Sequence, residues 1–557
     1  MTFLKRWRKE LAVIAALFLT LAVPFLLKPK NSTAPSHYDR RLVIITAHNE
    51  KIRNEFALAF TRYWKEKTGE TLYMDWRVPG GSADISMFLR SSFAAAFQHY
   101  WTQTLHQTWS HDAAVSFANS KIKRPAANVA DLSEAEQARK AFLESDVGIE
   151  IDLFFGGGAF DFQTQSSAGF VVSSDAKGQH GVAALAAKRP EWFTDAVIPQ
   201  SLSGEPYYDA EKRWVGCCLA SLGIVYNREV LKRLGIEKEP GQWEDLGDEH
   251  YLGQIALADP NKSGTVTKAF EQLIQQQMQQ AITARTNSET SQPEQNVTEQ
   301  GVHEGWDRGL KLIQRISANA RYFTDTATKI PLEVAQGDAA AGMCIDFYGR
   351  TYEEQLRQPD GSTRVSFVAP VGGTSIGVDP IGLLRGAPEP EVATAFMEFV
   401  LQDEGQKLWN YKVGTAGGPV KTALRRLPVR RDFYTEANRQ FMSDATEQPF
   451  EDAKAFTYHP EWTGSLFNAL RFLVKVMCIE VHDEQRRAWK MIVQKGFPKR
   501  AMDVFSDLSM INYEAAKELA SELKNGDKEL EVKKARELST LFREKYNKAY
   551  ELAKAGQ

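Results

Sequence analysis

Residues 263–265, Ser-Gly-Thr, have the side chains and the position in the chain that could bind an anion. The apolar residues 255–258 before them predict a buried strand, which an Asp-Pro pair ends because a residue before proline is pushed away from helical geometry. Residues 266–279 after them predict a helix. A strand that runs through Ser-Gly-Thr into a helix offers hydroxyls and free backbone N–H groups at the positive helix end. An ordinary helix N-cap without a ligand explains the same residues, so both interpretations stay open.

Four other polar or glycine-rich loops also follow predicted strands. In an open parallel sheet, ligands bind at the carboxyl ends of the strands, so we expect these loops to lie near one another. One such loop is weak evidence because glycine also makes ordinary turns, whereas five together indicate a shared ligand site. The candidate ligand-binding residues in the five loops are His48, Asn49, Ser82, Gly157, Gly158, Ser263, Gly264, Thr265, Asp346 and Tyr348.

The elements that must position these loops are short apolar strands alternating with helices. Their order predicts an α/β fold in which parallel strands are joined by crossover helices. The glutamine-rich stretch 272–300 predicts a surface loop from about residue 285, and the chain beyond residue 419 is predicted to be mostly helical. The predicted strands are 41–46, 71–78, 148–155, 219–226, 255–258, 340–347, 365–370 and 381–384, with an amphipathic helix at 52–67.

Composition excludes several classes of protein. Lysine and arginine number 68 against 71 acidic residues, so the net charge of -3 gives no support to nucleic-acid binding, which usually requires a basic surface. Four cysteines without a CxxC pair support neither a disulfide framework nor a zinc site. We therefore expect no metal, no cofactor and no nucleic-acid partner.

Enzyme signatures are also weak. The chain has no HExxH, Walker A or GxGxxG motif. Residues 373–377 fit GxSxG, but a nucleophile elbow needs a helix directly after it, and here a strand is predicted at 381–384. His48 and Asp346 have acid–base side chains, yet nothing in the sequence pairs them with a nucleophile. We therefore predict binding rather than catalysis, and no catalytic residue.

The N-terminus carries a targeting signal. Lys5, Arg6, Arg8 and Lys9 precede the apolar residues 11–27, the arrangement of a secretory signal or a signal anchor. Seventeen residues are at the short end for spanning a bilayer, and the region after them is a poor cleavage site. An uncleaved anchor in the inner membrane is therefore favoured over a cleaved signal, and in both cases the rest of the chain is expected to be periplasmic or otherwise extracytoplasmic.

A series of segments between about residues 42 and 425 shares its order and spacing with a known family. The segments are LVIITAHNE, AFTRYWKEKTG, DLFFGGGAFDF, SLGIVYNREVLKRLGI, QWEDLGDEHYLGQIALADPNKSGT, VAQGDAAAGMCIDFYGR, VSFVAPVGGTSIGVDPIGLLRGAPEPEVATAFMEFVLQDEGQKLW and GGPV. They resemble the extracellular solute-binding proteins of bacterial ABC importers. The resemblance is to the type 2 periplasmic-binding-protein fold shared by ferric-ion, thiamine and aminoalkylphosphonate binders, and it does not specify the ligand.

The resemblance implies two Rossmann-like α/β lobes, each with a parallel sheet, joined by a hinge and closing around a small solute. Lobe one would contain residues 38–220 and 375–557, and lobe two residues 221–374, after a signal or anchor and linker at 1–37. A helical insert at about 91–145 and a helical extension at about 430–557 would belong to lobe one. Hinge crossings are expected near 219–226 and 371–378. The closed form would then dock on a membrane permease.

The resemblance also implies contact positions. These are His48, Asn49, Ser82, the Gly157–Gly158 loop, Ser221, Ser263, Thr265 and Tyr348. In ferric-ion binders two consecutive tyrosines ligate the metal, and here those positions match Phe347 and Tyr348, so bare ferric iron is disfavoured. Hydroxyls and glycine N–H groups suit a phosphonate, phosphate ester or carboxylate better. If Asp346 faces the cleft it would meet an ammonium group, and a zwitterion would satisfy both. A ferric chelate, an anchored ligand sensor and an enzyme on the same fold remain alternatives.

Overall fold

Two β-sheets, one in each of two lobes, form the centre of the molecule. A computed structural model describes residues 37–123, 131–288, 293–523 and 528–557. The strands are β1 Arg40–Thr46, β2 Leu72–Arg77, β3 Leu153–Phe155, β4 Val171–Val172, β5 Ser201–Leu202, β6 Glu205–Pro206, β7 Trp214–Ala220, β8 Leu222–Asn227, β9 Ile255–Ala258, β10 Ala320–Thr324, β11 Ala341–Ile345, β12 Val365–Val368, β13 Gly377–Leu384 and β14 Leu427–Pro428.

Helices cover the faces of both sheets. The α-helices are α1 Glu50–Thr68, α2 Ser82–His99, α3 His111–Ser116, α4 Glu134–Glu144, α5 Ala159–Ala168, α6 Val182–Lys188, α7 Arg228–Arg233, α8 Gly264–Ser288, α9 Glu294–Asn319, α10 Lys329–Gln336, α11 Asp346–Gln355, α12 Pro390–Leu401, α13 Asp403–Asn410, α14 Glu436–Arg439, α15 Pro449–Asp452, α16 Pro460–Thr463, α17 Phe467–Val474, α18 His482–Gln494, α19 Lys499–Ser506, α20 Tyr513–Leu523 and α21 Lys528–Lys554. The predicted membrane segment 11–27 lies outside the described residues, and none of the helices within them is long and apolar enough to cross a bilayer.

Both sheets are mixed, which corrects the expectation of parallel sheets. The first has the order β14-β7-β13-β3-β1-β2 with β4 beside β13, and the second has the order β10-β9-β11-β8-β12. Strands β1, β2 and β3 are mutually parallel, as are β9, β10 and β11. Strand β13 is antiparallel to β3, and β8 is antiparallel to β11. The chain comes to β8 and to β13 directly from the other lobe, without a crossover helix. Each strand therefore begins at the edge of the sheet where the parallel strands end and runs in the opposite direction.

Helix α1 shows how sequence periodicity fixes an element of the first lobe. Asn49 caps it, accepting a hydrogen bond from the backbone N–H of Ile52 at 3.1 Å. Gly69 ends it with a φ of 80°, the left-handed conformation that glycine adopts without strain. The buried face includes Ile52, Phe56 and Phe60, three of the residues that the helical spacing predicts.

Helices α8 and α9 form the close helical pair of the second lobe. Gly301, Gly305 and Gly309 recur every four residues on α9 and face α8. A Cβ atom at Gly305 would lie 2.2 Å from the Cα of Met278, so only glycine allows this approach. The sequence predicts a surface loop at about 285–300, but α8 continues to Ser288 and α9 begins at Glu294. Packing between the two helices outweighs the polar composition.

The C-terminal extension joins the second lobe. Trp306 and Gln314 on α9 donate hydrogen bonds to the Ile511 carbonyl at 3.0 Å and to the Tyr546 hydroxyl at 3.0 Å. Side chains of the extension from Leu466 onward belong to the hydrophobic core of the second lobe, whereas the sequence had placed the whole extension in the first. Before that point the extension touches the first-lobe core through Phe450. The chain therefore crosses between the lobes three times, near residues 221, 369–376 and 454–463.

Candidate functional site

A cavity of about 270 Å³ lies between the two lobes. Residues from both lobes and from the C-terminal extension line it. Nine of the eleven residues selected from the sequence are among the lining residues: His48, Asn49, Ser82, Gly157, Gly158, Ser263, Gly264, Thr265 and Tyr348. The carboxyl ends of strands from two different sheets thus converge on one cavity.

Six helices outside the C-terminal extension begin at this cavity. In each case the first helical residue or the residue next to it lines the cavity. The helices are α1, α2 and α5 in the first lobe and α8, α10 and α11 in the second. The positive ends of six helix dipoles therefore lie around one space, which favours negative charge there. Some of the first-turn N–H groups already have partners, among them those of Phe347 and Ile330.

The start of α8 is close to the opposite lobe. A Cβ atom at Gly264 would lie 3.0 Å from the hydroxyl oxygen of Ser82 and 3.5 Å from Nη2 of Arg471. Glycine therefore lets the start of the helix approach the first lobe. Ser263 is buried, and its hydroxyl accepts a hydrogen bond from the N–H of Val266 at 3.4 Å. The serine thus acts as an N-cap, one of the two interpretations that the sequence left open.

The first lobe contributes a buried carboxylate to the cavity. Asp161 on α5 accepts a hydrogen bond from the N–H of Gly158 at 3.1 Å. Burial raises the pKa of Asp161, although the positive charge of Arg471 opposes the shift. The preceding Gly157 has a φ of 122°, which a residue with a side chain rarely adopts.

His48 lies in a buried cluster with Asp379 and Arg426. Its Nε2 lies 3.3 Å from Oδ2 of Asp379, which also forms an ion pair with Arg426. Burial lowers the pKa of His48 well below its ordinary value, and the charges of Arg426 and Arg53 lower it further. His48 is therefore neutral at physiological pH. A Cβ atom at position 156 would lie 2.5 Å from its Nε2, so Gly156 is required beside the ring.

Tyr348 and Asn49 meet across the cavity. The amide of Asn49 donates a hydrogen bond to the Tyr348 hydroxyl at 3.3 Å, which joins the two lobes. Burial raises the pKa of Tyr348, so its hydroxyl stays protonated. The preceding Phe347 lines the cavity and packs against the Arg426 guanidinium, 4.3 Å from ring centroid to Cζ.

Ser221 and Asp346 do not line the cavity. Ser221 is the residue between β7 and β8, and its carbonyl accepts a hydrogen bond from the N–H of Asp346 at 3.0 Å. Asp346 is fully buried and forms an ion pair with Arg350 at 2.6 Å. Since its carboxylate is already paired, Asp346 does not supply the negative charge that an ammonium group in the cleft would need.

Several charged residues of the cavity carried no signal in the sequence. Lys268 lies 3.0 Å from both Glu205 and Glu271. Burial by itself would lower the pKa of Lys268, but the two carboxylates outweigh it and raise that pKa. Helical spacing from Gly264 could have placed Lys268 near the site, whereas nothing in the sequence indicated Arg426 or Arg471. The lining residues with ionisable charges are Lys262, Lys268, Arg426, Arg471, Asp161, Glu205, Glu271 and Asp379.

One group of candidate metal ligands lies outside the cavity. Within the described residues, the group whose side chains are close enough to share an ion is Asp248, Glu249 and His250, which is outside the cavity lining. Tyr458, a second tyrosine in the cavity, donates its hydroxyl hydrogen to Glu271 at 2.9 Å.

Comparison with known proteins indicates a class. Residues 193–428 match the family model described as bacterial extracellular solute-binding protein. An uncharacterized protein of Haemophilus influenzae is 25% identical over 187 residues, which cover 34% of this chain and 44% of the relative. The phosphoglycerate transport regulatory protein PgtC of Salmonella typhimurium is 22% identical over 194 residues, covering 35% of this chain and 40% of the relative. Each match spans less than half of the relative's length.

Two solved periplasmic binding proteins match this chain in part. AfuA from Actinobacillus pleuropneumoniae, with fructose-6-phosphate bound, has 18% identity and a TM-score of 0.41, and the match covers 66% of this chain and 81% of AfuA. Iron-bound HitA from Pseudomonas aeruginosa has 13% identity and a TM-score of 0.42, with 77% and 98% of the two chains covered.

Proposed function

We propose that this chain, which carries a bacterial extracellular solute-binding domain across residues 193–428, is the solute-binding subunit of an ABC importer. It captures a small anionic or zwitterionic solute in the cavity between its lobes and delivers it to a membrane permease. The observation that carries the proposal is the convergence of six helix N-termini from both lobes on one cavity. An arrangement of helix N-termini of this kind supports the binding of an anion.

Capture depends on contacts that both lobes make at once. The start of α8 and Tyr348 come from the second lobe, whereas Ser82, His48 and Asn49 come from the first. A ligand that touches both sets favours the closed arrangement over the open one, because only the closed arrangement offers all the contacts. The three crossings between the lobes, β7 to β8, β12 to β13 and residues 454–463, are the places where the backbone would bend.

The ligand that we favour carries an oxyanion, and a phosphate ester is the leading candidate. The ionisable side chains of the cavity balance in formal charge, so the preference for an anion comes from the helix ends rather than from an excess of cations. The name of PgtC, phosphoglycerate transport regulatory protein, supports a phosphorylated solute. Because Asp346 is paired with Arg350, an ammonium group is not required.

An extracytoplasmic location completes the proposal. The basic residues followed by the apolar segment 11–27 support export, with that segment retained as an anchor in the inner membrane. The solute would then be held close to the permease.

Ligand screening tests this function. Native mass spectrometry of the gently purified protein should show a co-purifying small molecule. Thermal unfolding should then be measured with phosphate esters, phosphonates, carboxylates, amino acids and ferric citrate. A ligand at a hundred times its dissociation constant should add about 2.7 kcal/mol to the free energy of unfolding. Stabilisation by ferric citrate alone would contradict the oxyanion preference, and stabilisation by none of them would contradict solute capture.

A role as an anchored sensor is the second candidate, and the word regulatory in the name of PgtC favours it. The two roles differ in cells. Deleting an importer subunit abolishes solute uptake even when the permease is expressed from a constitutive promoter. Deleting a sensor abolishes uptake only while the permease is under its own regulation, and constitutive expression restores it.

A further inference from the structure

The C-terminal extension contributes to the cavity although the match to the solute-binding family ends at residue 428. Three lining residues follow that point: Tyr458, Phe467 and Arg471. Helix α17 begins at the cavity with Phe467, whose ring centroid lies 4.4 Å from that of Phe160 in the first lobe. This contact holds α17 against the opposite lobe, so the extension closes one side of the cavity.

Arg471 on α17 has hydrogen-bonding capacity that the protein does not use. Its Nε donates a hydrogen bond to the hydroxyl of Thr267 at 3.2 Å. Its Nη2 is buried, and within the part of the chain that the structure describes it has no hydrogen-bond partner. The same Nη2 would lie 3.5 Å from a Cβ atom at Gly264, so the unused N–H groups lie beside the start of α8. A buried charged donor without a partner is unfavourable unless something else accepts its hydrogen bonds.

Two other cations that line the cavity, Lys268 and Arg426, already have carboxylate partners, so an anion at this position would pair with Arg471. Lys268 is paired with Glu205 and Glu271, and Arg426 is paired with Asp379. Asp161 is the carboxylate whose charge acts on Arg471, but the two residues form no ion pair within 4 Å among the described contacts. Asp161 instead accepts a hydrogen bond from the N–H of Gly158.

We infer that Arg471 binds the anionic headgroup of the solute together with Ser82 and the start of α8, and that the extension thereby selects a phosphate monoester or phosphonate over a carboxylate. This inference rests on the proposed function. The donors come from three sides: the Ser82 N–H at the start of α2 in the first lobe, the N–H groups of α8 in the second, and the guanidinium of the extension. The Ser82 hydroxyl itself interacts with Asp161. A tetrahedral group has three terminal oxygens and can accept from all three sides, whereas the two oxygens of a carboxylate lie in one plane.

The test uses the full chain and isothermal titration with two probes that differ in one group, 3-phosphoglycerate and glycerate. The wild-type protein should bind the phosphorylated probe more tightly. Arg471→Met should weaken 3-phosphoglycerate binding by about 10- to 100-fold, because it removes charge-assisted hydrogen bonds, and should leave glycerate binding nearly unchanged. Arg471→Lys keeps the charge but not the planar fork, so it should recover part of the loss.

The control is Arg487→Met, which removes an exposed arginine of the same extension. Arg487 lies on α18, outside the cavity lining, and donates a hydrogen bond to Asn547. It should leave the affinity for both probes unchanged. Thermal unfolding of each unliganded variant shows whether it is folded. If Arg471→Met does not fold, Arg471→Lys alone decides, with a loss of about tenfold for 3-phosphoglycerate expected.

Failure of this inference can be told from failure of the proposed function. If the wild type binds 3-phosphoglycerate and the folded Arg471 variants bind it equally well, the inference is wrong and the proposed function stands. An equal loss for both probes would show a structural role for Arg471 and also overturn the inference. If the wild type binds no compound of the wider screen, the proposed function is wrong and the inference falls with it.

Discussion

Helices α1 and α8 both begin at the cavity, yet they hold their lobes together by different means. Helix α1 buries an apolar face that includes Phe56 and Phe60. These rings pack against Phe396, with centroids 6.3 Å and 4.9 Å away. Helix α8 also has an apolar face, but a second side of it is buried and polar. That polar side consists of Thr267, Glu271, Gln272, Gln275 and Gln276.

The partners of the polar side come mainly from the C-terminal extension. Gln275 donates to the His459 carbonyl and accepts from the His459 N–H, each at 2.8 Å. Glu271 accepts hydrogen bonds from the hydroxyls of Tyr458 at 2.9 Å and Thr463 at 2.8 Å. Toward the hinge, Gln272 donates to the Ser375 hydroxyl at 2.6 Å.

The difference explains why the extension sits where it does. An apolar contact surface can be filled by different side chains of similar total volume. The apolar face of α1 therefore does not by itself define one position for the elements packed against it. Buried polar groups need particular partners in particular positions, and a partner that shifts leaves them unsatisfied. The extension is therefore held in one register on α8, which keeps Arg471 beside the start of that helix.

Phe56→Ala should produce the largest loss of stability, because it leaves a cavity under α1. We expect the free energy of unfolding to fall by about 3–5 kcal/mol, measured by chemical denaturation. Leu58→Ala on the exposed side of the same helix should cost less than about 0.5 kcal/mol. Equal losses for the two variants would show that α1 is not held by its apolar face.

Glu271→Gln should have the next largest effect. It places an amide beside the half-buried Lys268 in place of the carboxylate. We expect a cost of about 1–3 kcal/mol, less than the loss of a full buried ion pair, because Glu205 still faces Lys268. The matched control is Glu451→Gln, which breaks an exposed pair with Lys454 and should change the free energy of unfolding by less than about 1 kcal/mol. A neutral Glu271→Gln variant would argue against the polar side of α8 as a determinant of stability.

Gln275→Ala tests whether the polar side of α8 holds the extension in place. Loss of its amide leaves the His459 N–H without its acceptor, so we expect a cost of about 1–2 kcal/mol. Hydrogen exchange of backbone amides in residues 457–463 should become faster, while exchange in α1 stays the same. Exposed Gln280→Ala serves as the control. Unchanged exchange at 457–463 would mean that α8 does not fix the extension.

The smallest predicted effect on the free energy of unfolding concerns His48, and this effect depends on pH. The folded protein holds the pKa of His48 well below its unfolded value of 6.5, so below pH 6.5 the unfolded chain binds more protons at this position. Stability contributed by the neutral histidine is complete above pH 6.5 and is lost as the pH falls. Between pH 7 and pH 5.5 the wild type should lose about 1 kcal/mol more than His48→Gln. Parallel stability curves for the two proteins would contradict the assignment of a neutral His48.

Short sequence patterns were sufficient to predict an element when the residues that stabilise it are close together in the chain. The cap at Asn49, the C-terminal Gly69 and the apolar spacing of α1 all lie within about twenty residues, so the helix follows from the sequence. The rule that ligands bind at the carboxyl ends of strands placed nine candidate residues on the lining of one cavity. Whether each of them touches the solute stays a prediction.

Other features could not be predicted because their partners are distant in the chain. Glu271 and Tyr458 are 187 residues apart, so the glutamine-rich stretch gave no sign of what would cover it. The mixed sheets follow from β8 and β13 entering from the other lobe, which no local pattern encodes. For Asp346, the sequence did not show that Arg350 would pair with it and keep it out of the cavity.

Alternating strands and helices, polar loops after the strands, and a helix that begins at Ser263 to Thr265 can all be predicted from the sequence. Which charged side chains meet depends on how the chain folds. Strand and helix formation depends on spacings of two to four residues, which a sequence displays. The pairing of Lys268 with two acids, and the position of Arg471 with an unused donor beside α8, depend on how three distant segments pack.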